Sequence, residues 1–281
     1  MTTEPKATYG LIGYPVKHSF SPAMHNVAFR YCNINAEYKL FEVKPQELED
    51  FLLKRKDVVG FNITIPHKIE TFLLVKDTIT EICPEVSLTS AINTVKRQGD
   101  KLLCRNTDPE GFRKSLNQDL EFDAKNKNVL MLGSGGAGRA VMAGLNQEPR
   151  IKKLYIYDPN SQAAKSVSGL EYECNFISKQ DIGKVISDCQ LLVNASPVGM
   201  KQGDPLVIDK NLLHKGLFVY DVVYNRETEL IKEASARCQA ASGGLGMLLY
   251  QGVIAWQFWM RQKAPVKVMR QALEEELNKR C

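Results

Sequence analysis

A stretch of polar side chains at residues 62–68 (NITIPHK) has the types and spacing that acid–base chemistry needs. Strand-like alternation places Asn62 and Thr64 on one face, and Lys68 follows just beyond a rigid proline. In α/β proteins, ligands bind at strand ends and in the loops after them. Lys68 could instead be a solvated surface lysine, and His67, with no carboxylate next to it in sequence, is typical of a structural histidine. We interpret Lys68 as the proton-transfer group.

A second polar stretch, Asn106-Thr107-Asp108, lies where two parts of the chain meet, which is a common place for small-molecule sites. If Lys68 and Asp108 come together, the carboxylate would orient the ammonium, and partial desolvation would lower the pKa of the lysine toward a useful range. Asp108, next to Pro109, could instead only cap the helix that follows.

Ser19-Phe20-Ser21 places two hydroxyls on the same side of an extended segment, where they could bind a carboxylate. N-capping of a helix by Ser21 is the alternative, and it would not account for Ser19. Further donors and acceptors come from separate elements, namely Asn93, Tyr224 and Gln251. This polar set favours a polyhydroxylated, carboxylate-bearing substrate over an apolar one.

Residues 133–138 (GSGGAG) form a G-x-G-x-x-G motif between an apolar, strand-like run at 128–132 and a helix-like run at 139–145. In that context the first glycine permits a tight turn, the second lets backbone approach a pyrophosphate, and the third lets the helix pack closely. Free N–H groups at the helix start favour phosphate. The sequence therefore predicts a dinucleotide site.

Asp158 ends the next strand, 20 positions after Gly138. A carboxylate there accepts hydrogen bonds from the adenosine ribose and repels a 2′-phosphate. Neither Pro159 nor Asn160 can bind a phosphate as arginine does, and Lys165 lies too far into the next helix. We therefore predict NAD as the cofactor, with NADP possible.

Alternating strand and helix patterns predict a small α/β unit with a largely parallel sheet at the N-terminus. Strands are expected at 9–13, 38–43 and 58–65, a helix from Ser21 to about Tyr31, and a hairpin around Gly99-Asp100. Strands at 154–158, 191–194 and 217–221 continue the rhythm after the glycine motif.

Two helical stretches follow Gly243-Gly244, at about 247–260 and 265–278, and the aromatic residues of the first are expected in a core. Because they have no strand of their own, we expect them to pack on the first unit. The prediction is a substrate-binding and catalytic domain of residues 1–108 and 244–281, with a Rossmann-type dinucleotide-binding domain at 109–243.

The composition of the 281 residues is ordinary for a globular protein, and the net charge of +5 comes from scattered residues. This argues against nucleic acid as the main partner. Seven cysteines without a C-x-x-C pair suggest neither a disulfide framework nor a zinc site. With no signal-like or membrane-spanning run, we expect a cytoplasmic protein, a monomer or homodimer, with no bound metal.

In this order, the motifs resemble the shikimate dehydrogenase family, including its quinate/shikimate branch. The matching stretches run nearly end to end: residues 13–22, 24–26, 62–68, 91–95, 106–108, 133–140, 194–200, 220–225, 244–248 and 251–252. The resemblance implies reversible reduction of 3-dehydroshikimate to shikimate with a nicotinamide cofactor.

The resemblance also implies a role for each matching residue. Lys68 and Asp108 would be the catalytic pair, and Ser19 and Ser21 would hold the substrate carboxylate. The ring and its hydroxyls would be surrounded by Asn62, Thr64, Asn93, Tyr224 and Gln251. The cofactor would contact Gly133, Ser134, Gly135, Gly136, Ala137, Asp158, Val222 and Gly244.

The chain departs from the family pattern at a few positions. The NADP-preferring pattern has an Asn-Arg-Thr-like segment where this chain has Asp158-Pro159-Asn160, and Ser90 stands where glycine often precedes Ala91. Pro109 and Arg226 also replace the usual glycine and proline. Ser21, with no extra methyl, mildly favours shikimate over quinate. An enzyme acting mainly on quinate and a non-catalytic dinucleotide-binding sensor remain as alternatives.

Overall fold

The structure, a computed structural model, describes residues 6–79, 82–160 and 169–280. The chain divides into two compact units, one of residues 1–107 with 251–281 and the other of residues 108–250. Both units are α/β, which confirms the predicted fold class. The roles predicted for residues 1–108 with 244–281, and for 109–243, stay predictions.

The first unit contains a five-stranded sheet within the described part of the chain. Its strands are β1 (Ala7–Gly13), β2 (Ala36–Glu42), β3 (Val58–Ile63), β4 (Thr94–Gln98) and β5 (Lys101–Arg105). They lie in the order β2-β1-β3-β4-β5. β1 pairs in parallel with β2 and β3, whereas β4 and β5 are antiparallel. The predicted hairpin is confirmed, with Gly99 in the left-handed region at φ +61°.

Four helices follow the strands of this unit in the chain: α1 (Ser21–Tyr31), α2 (Leu48–Lys54), α3 (His67–Val75) and α4 (Pro84–Thr89). The alternative that Ser21 is the N-cap of α1 is wrong, since Phe20 is the N-cap and Ser21 is already helical. The reason is that the hydroxyl of Ser19 accepts the N–H of Ser21, so the earlier serine satisfies a helix-terminal donor. Ser90, which ends α4, has φ +49°, a conformation that glycine adopts at less cost.

The second unit contains a six-stranded sheet in the described residues, and every pairing in it is parallel. Its strands are β6 (Asn128–Leu132), β7 (Lys153–Tyr157), β8 (Glu173–Phe176), β9 (Leu191–Asn194), β10 (Phe218–Asp221) and β11 (Ala240–Gly243). The order β11-β10-β9-β6-β7-β8 reverses direction beside β6. This is the doubly wound arrangement of a Rossmann-type fold.

Helices of the second unit are α5 (Asp108–Gln118), α6 (Gly136–Leu145), α7 (Ile182–Val185) and α8 (Glu229–Arg237). Helix α6 begins three residues before its predicted start. The edge strands β8 and β11 were not predicted, because they are short and have few large apolar side chains. Lys165 lies outside the described residues.

Two C-terminal helices, α9 (Leu245–Met260) and α10 (Val266–Asn278), follow β11 as predicted. α10 packs against α1 in the first unit. Trp256 and Trp259 are buried, which confirms their expected place in the core, and the indole N–H of Trp259 donates to the carbonyl of Val95 at 2.9 Å. No helix in the described residues is long and apolar enough to span a bilayer.

Candidate functional site

The two serines predicted to bind a carboxylate contact each other in the first unit. The Ser19 hydroxyl donates to Ser21 Oγ at 3.2 Å and accepts the Ser21 backbone N–H at the same distance. Ser19 is half-buried, whereas Ser21 is buried. Ser19, and not Ser21, thus serves the helix start, and the two hydroxyls lie side by side.

Tyr38 of β2 joins Ser21 to Asn62 of β3, and the sequence analysis did not single it out. The Tyr38 hydroxyl donates to Asn62 Oδ1 at 2.7 Å, and the Ser21 side chain is hydrogen-bonded to the same hydroxyl. Burial raises the pKa of Tyr38 well above its usual value, against a smaller lowering effect of the Ser21 hydrogen bond. The hydroxyl therefore remains a protonated donor at physiological pH.

The amide of Asn62 continues this buried network toward the end of the first unit. Its Nδ2 donates to Thr94 Oγ1 at 2.9 Å, and Thr94 donates to Asn93 Oδ1 at 2.8 Å. Asn93 Nδ2 donates to Thr107 Oγ1 at 3.0 Å, and the Thr107 backbone N–H returns to Asn93 Oδ1 at 2.8 Å. Four predicted site residues, Ser19, Ser21, Asn62 and Asn93, thus belong to one hydrogen-bonded set.

Lys68 lies in the first turn of α3, one residue after the buried His67. Its backbone carbonyl accepts the N–H of Ile92, next to Asn93, and its side chain is half-buried. His67 Nε2 lies 2.6 Å from the Val43 carbonyl, which agrees with a structural role. Thr64 follows β3 directly, so the strand ends before the polar turn begins.

The remaining predicted substrate residues lie on other elements. Gln251 is a buried residue of α9 and belongs to the first unit. Asp108 begins α5, and Tyr224 follows β10, so both belong to the second unit. The pairing of Lys68 with Asp108 therefore stays a prediction.

In the second unit, every residue predicted to bind the cofactor follows the carboxyl end of a strand. Residues 133–137 follow β6, Asp158 follows β7, Val222 follows β10 and Gly244 follows β11. Because all these strands are parallel, their carboxyl ends lie at one edge of the sheet. The crossover beside β6 is where such folds bind ligands.

The three glycines of the motif differ in what surrounds them. Gly133 has φ +92°, and a Cβ there would lie 2.8 Å from the backbone nitrogen of Ser196. A Cβ on Gly138 would lie 2.6 Å from the Gly133 carbonyl oxygen, so the helix packs on the turn. Gly135 has nothing within 4 Å of a Cβ position and is exposed. This pattern fits a turn, a ligand approach and a helix contact.

Asp158 is bonded to the glycine motif. One carboxylate oxygen accepts the backbone N–H of Ser134 at 2.7 Å and its hydroxyl at 2.6 Å, and the other accepts the N–H of Asn160 at 2.8 Å. Burial raises the pKa of this carboxyl, but the hydrogen bonds from Ser134 and Asn160 outweigh it and the net pKa is lowered. Asp158 is thus an anion that fixes the loop.

A fully buried carboxylate, Asp221 at the end of β10, holds the segments that follow β9 and β10. It accepts from Asn194 Nδ2 at 2.9 Å, from the Val223 N–H at 3.1 Å and from Thr228 Oγ1 at 2.6 Å. Asn194 Oδ1 in turn accepts the N–H of Ser196. Desolvation raises the pKa of Asp221. Asp221 was not predicted from the sequence, because its role depends on partners from the end of β9 and from the stretch between β10 and α8.

Comparison with known proteins gives the family. The profile described as shikimate dehydrogenase substrate binding domain matches residues 11–95, and the one described as shikimate 5′-dehydrogenase C-terminal domain matches residues 244–274. A Methanopyrus kandleri protein named shikimate dehydrogenase (NADP(+)) is 36% identical over 284 residues, covering 95% of each chain. This chain belongs to the shikimate dehydrogenase family.

Solved structures of the shikimate dehydrogenase family and its relatives are similar over nearly the whole chain. A Listeria monocytogenes shikimate 5-dehydrogenase in complex with shikimate and NAD has a TM-score of 0.85 at 28% identity, covering 96% of this chain and 97% of its own. A Corynebacterium glutamicum quinate dehydrogenase in complex with NAD has the same TM-score and identity, covering 96% and 99%. The resemblance found in the sequence is thereby confirmed.

Two residues of the buried network, Tyr38 and Thr94, were not predicted from the sequence. Tyr38 and Thr94 are hidden because an inward position on a strand looks the same for a core residue and for a network residue. The signal for Tyr38 in the sequence is that a side chain with a hydroxyl occupies a strand position that alternation directs into the core. In the described residues, no group of three or more His, Cys, Asp or Glu side chains could hold a metal ion.

Proposed function

We propose that this protein is an NAD-preferring shikimate dehydrogenase, which reversibly reduces 3-dehydroshikimate to shikimate. The observation that carries the proposal is the buried network from Ser19 to Thr107, which ends one residue before Asp108. The network contains four residues to which the family resemblance assigns the binding of a carboxylate-bearing, hydroxylated ring. Membership of the family supports the same reaction.

In the reduction, the ammonium of Lys68 donates a proton to the C3 carbonyl oxygen of the substrate. Asp108, paired with Lys68, orients the ammonium and stabilises its charged form. A reduced nicotinamide cofactor, held by the residues that follow β6, β7, β10 and β11, would supply the hydride that C3 accepts. Oxidation of shikimate reverses both transfers, so that Lys68 takes the hydroxyl proton.

The other residues bind and orient. Ser19 and Ser21 turn their hydroxyl protons to the substrate carboxylate when it binds, and the ring hydroxyls contact the remaining polar set: Asn62, Thr64, Asn93, Tyr224 and Gln251. We assign residues 1–108 and 244–281 to substrate binding and residues 109–243 to cofactor binding. Open space at Gly135 and Gly136 leaves room for a pyrophosphate against the backbone.

The preference for NAD is argued from the end of β7. The carboxylate of Asp158 has a lowered pKa and lies where a 2′-phosphate would approach, so two anions would repel each other. Pro159 follows it, and no guanidinium at that position can offset the charge. Many similar relatives are named for NADP(+), as in Methanopyrus kandleri, so this chain would differ from them in its cofactor.

Quinate is the second candidate substrate, favoured by the similarity to a quinate dehydrogenase. Quinate has a tetrahedral C1 that bears a hydroxyl beside the carboxylate, so it needs more room near the two serines. Ser21 has no methyl to restrict either acid. Because relatives with 36% identity over nearly the whole chain are named shikimate dehydrogenase, we put shikimate first and expect measurable activity on quinate.

The test is a steady-state comparison of shikimate and quinate, each with NAD and with NADP. We expect the highest kcat/KM for shikimate with NAD. Clear preference for NADP would overturn only the argument from Asp158, and preference for quinate would overturn only the choice of acid. Binding of NAD without turnover of either acid would contradict the enzyme and favour a dinucleotide-binding sensor.

A further inference from the structure

We propose that Tyr38 is a positioning residue for substrate binding, which sets the directions of the Ser21 and Asn62 side chains. The inference rests on the proposed function, because it concerns the affinity of that site for a carboxylate-bearing substrate. Tyr38 itself is buried, and its role is exerted through the two residues that its hydroxyl contacts.

The direction of the hydrogen bonds follows from the single proton of a phenol. Tyr38 gives that proton to Asn62 Oδ1 at 2.7 Å, so toward Ser21 its oxygen can only accept. Ser21 Oγ accepts in turn from Ser19. Without a bound acid, the three hydroxyls therefore form a chain in which each donates to the next, an arrangement in which neighbouring bonds strengthen one another.

The same bond decides which way the Asn62 amide faces. With Oδ1 held by Tyr38, Nδ2 faces Thr94 Oγ1 at 2.9 Å and the Asn93 carbonyl at 3.4 Å. A rotated amide would set Nδ2 against the phenol and Oδ1 against a carbonyl. The Tyr38 hydroxyl thus selects one of two amide orientations and keeps the Thr94 and Asn93 bonds intact.

Tyr38 is itself held by a motif to which the proposed function gives no role, His25-Asn26 in α1. Asn26 bonds both backbone groups of Tyr38, accepting its N–H at 2.8 Å and donating to its carbonyl at 3.0 Å. The His25 ring stacks on the Tyr38 ring, with centroids 4.5 Å apart and planes 13° apart. Because β2 is an edge strand, these contacts replace the sheet neighbour it lacks on that side.

The test is Tyr38→Phe, which keeps the ring and removes only the hydroxyl. Loss of the bonds to Ser21 and Asn62 should raise KM for shikimate by roughly 3- to 30-fold, the range expected for one or two net hydrogen bonds. The value of kcat should stay within about 3-fold, and KM for NAD should not change, because Tyr38 contacts no reacting group. The matched control is Tyr172→Phe, a half-buried tyrosine whose hydroxyl donates to the Met142 carbonyl in the second unit.

A double-mutant cycle with Ser21→Ala separates positioning from general destabilisation. If Tyr38 acts through Ser21, the double variant should lose less than the product of the two single losses in kcat/KM. A purely structural role would lower the thermal midpoint and leave the two effects multiplicative, which would overturn the proposal. An unchanged KM for shikimate in Tyr38→Phe, or an equal rise in Tyr172→Phe, would also overturn it. If the wild-type protein turns over neither acid, the proposed function fails and Tyr38 has no such role.

Discussion

Single side chains in the first unit have partners that their sequence neighbours do not reveal. Ser19 was expected to bind only a ligand, yet it also accepts the first N–H of α1. His67, adjacent to the proposed acid–base lysine, has its Nε2 2.6 Å from the Val43 carbonyl, a contact typical of a structural histidine. The acid–base role proposed for Lys68, in the next position, stays a prediction.

Lys68→Ala should lower kcat by about 100-fold or more, with a smaller effect on KM, because a positioned acid–base group acts mainly in the transition state. The control is Lys76→Ala at the other end of α3, where the side chain is exposed. Steady-state rates with shikimate measure both variants. Turnover near the wild-type rate in Lys68→Ala would contradict the assignment.

The double variant Asp158→Asn, Pro159→Arg should move the preference toward NADP by about 100-fold in the ratio of kcat/KM values. The change removes an anion and adds a guanidinium, which binds phosphate through two parallel hydrogen bonds. The amide introduced in place of the carboxylate would keep one acceptor for Ser134, whose N–H and hydroxyl bond Asp158. An unchanged ratio, measured with both nucleotides, would show that selectivity lies elsewhere.

At the scale of elements, two glycines at the junction of β6 with α6 meet different requirements: one allows the protein to pack, and the other leaves space for a ligand. Gly138 serves the protein, because a Cβ there would meet the Gly133 carbonyl oxygen at 2.6 Å. A Cβ on Gly135 would have nothing within 4 Å, so a ligand can approach the backbone there. The pattern G-x-G-x-x-G predicted both roles, because the turn and the helix start depend on neighbouring residues.

Gly138→Ala should destabilise the second unit by about 1–3 kcal/mol, the usual result of forcing a methyl into packed backbone. Gly135→Ala should change the stability by less than about 0.5 kcal/mol but weaken NAD binding about 10-fold or more. Calorimetry gives the unfolding midpoint and the Kd for NAD of each variant. Equal NAD affinity in Gly135→Ala and the wild type would refute the ligand approach.

At the scale of the whole molecule, the two units should respond to pH in opposite ways through their buried groups. Burial lowers the pKa of His25, in the first unit, from 6.5 to about 3. Burial raises the pKa of Asp221, in the second unit. The free energy of unfolding therefore rises with pH between about 3 and 6.5, the folded and unfolded pKa values of His25. It falls with pH between the unfolded and the higher folded pKa value of Asp221.

Acidification from pH 6.5 to 5 should lower the free energy of unfolding of the first unit by about 1.6 kcal/mol in all, because the unfolded chain binds a proton at His25 that the folded chain does not. Both tryptophans, Trp256 and Trp259, lie in the first unit, so urea unfolding followed by their fluorescence reports that unit. His25→Gln should remove most of this decrease. A decrease unchanged by that substitution would assign the effect to other groups.

The sequence by itself determined the elements whose signals are local. A buried strand followed by glycines, a Ser-Pro helix start and alternating polar positions after residue 60 each depend on residues within a few positions, and each lies where predicted within a few residues. Short edge strands were missed, because β8 and β11 form by pairing with β7 and β10 and have little apolar pattern of their own.

Only the tertiary structure decided how the polar residues are directed. Tyr38 and Asn62 are 24 positions apart in the chain, and Asn62 and Thr94 are 32 apart, yet their hydrogen bonds determine which atoms donate and which accept. A hydroxyl or an amide can point several ways, and its choice depends on partners brought close by folding. Residue types and spacing identify such groups, whereas the packing of strands and helices determines the directions of their side chains.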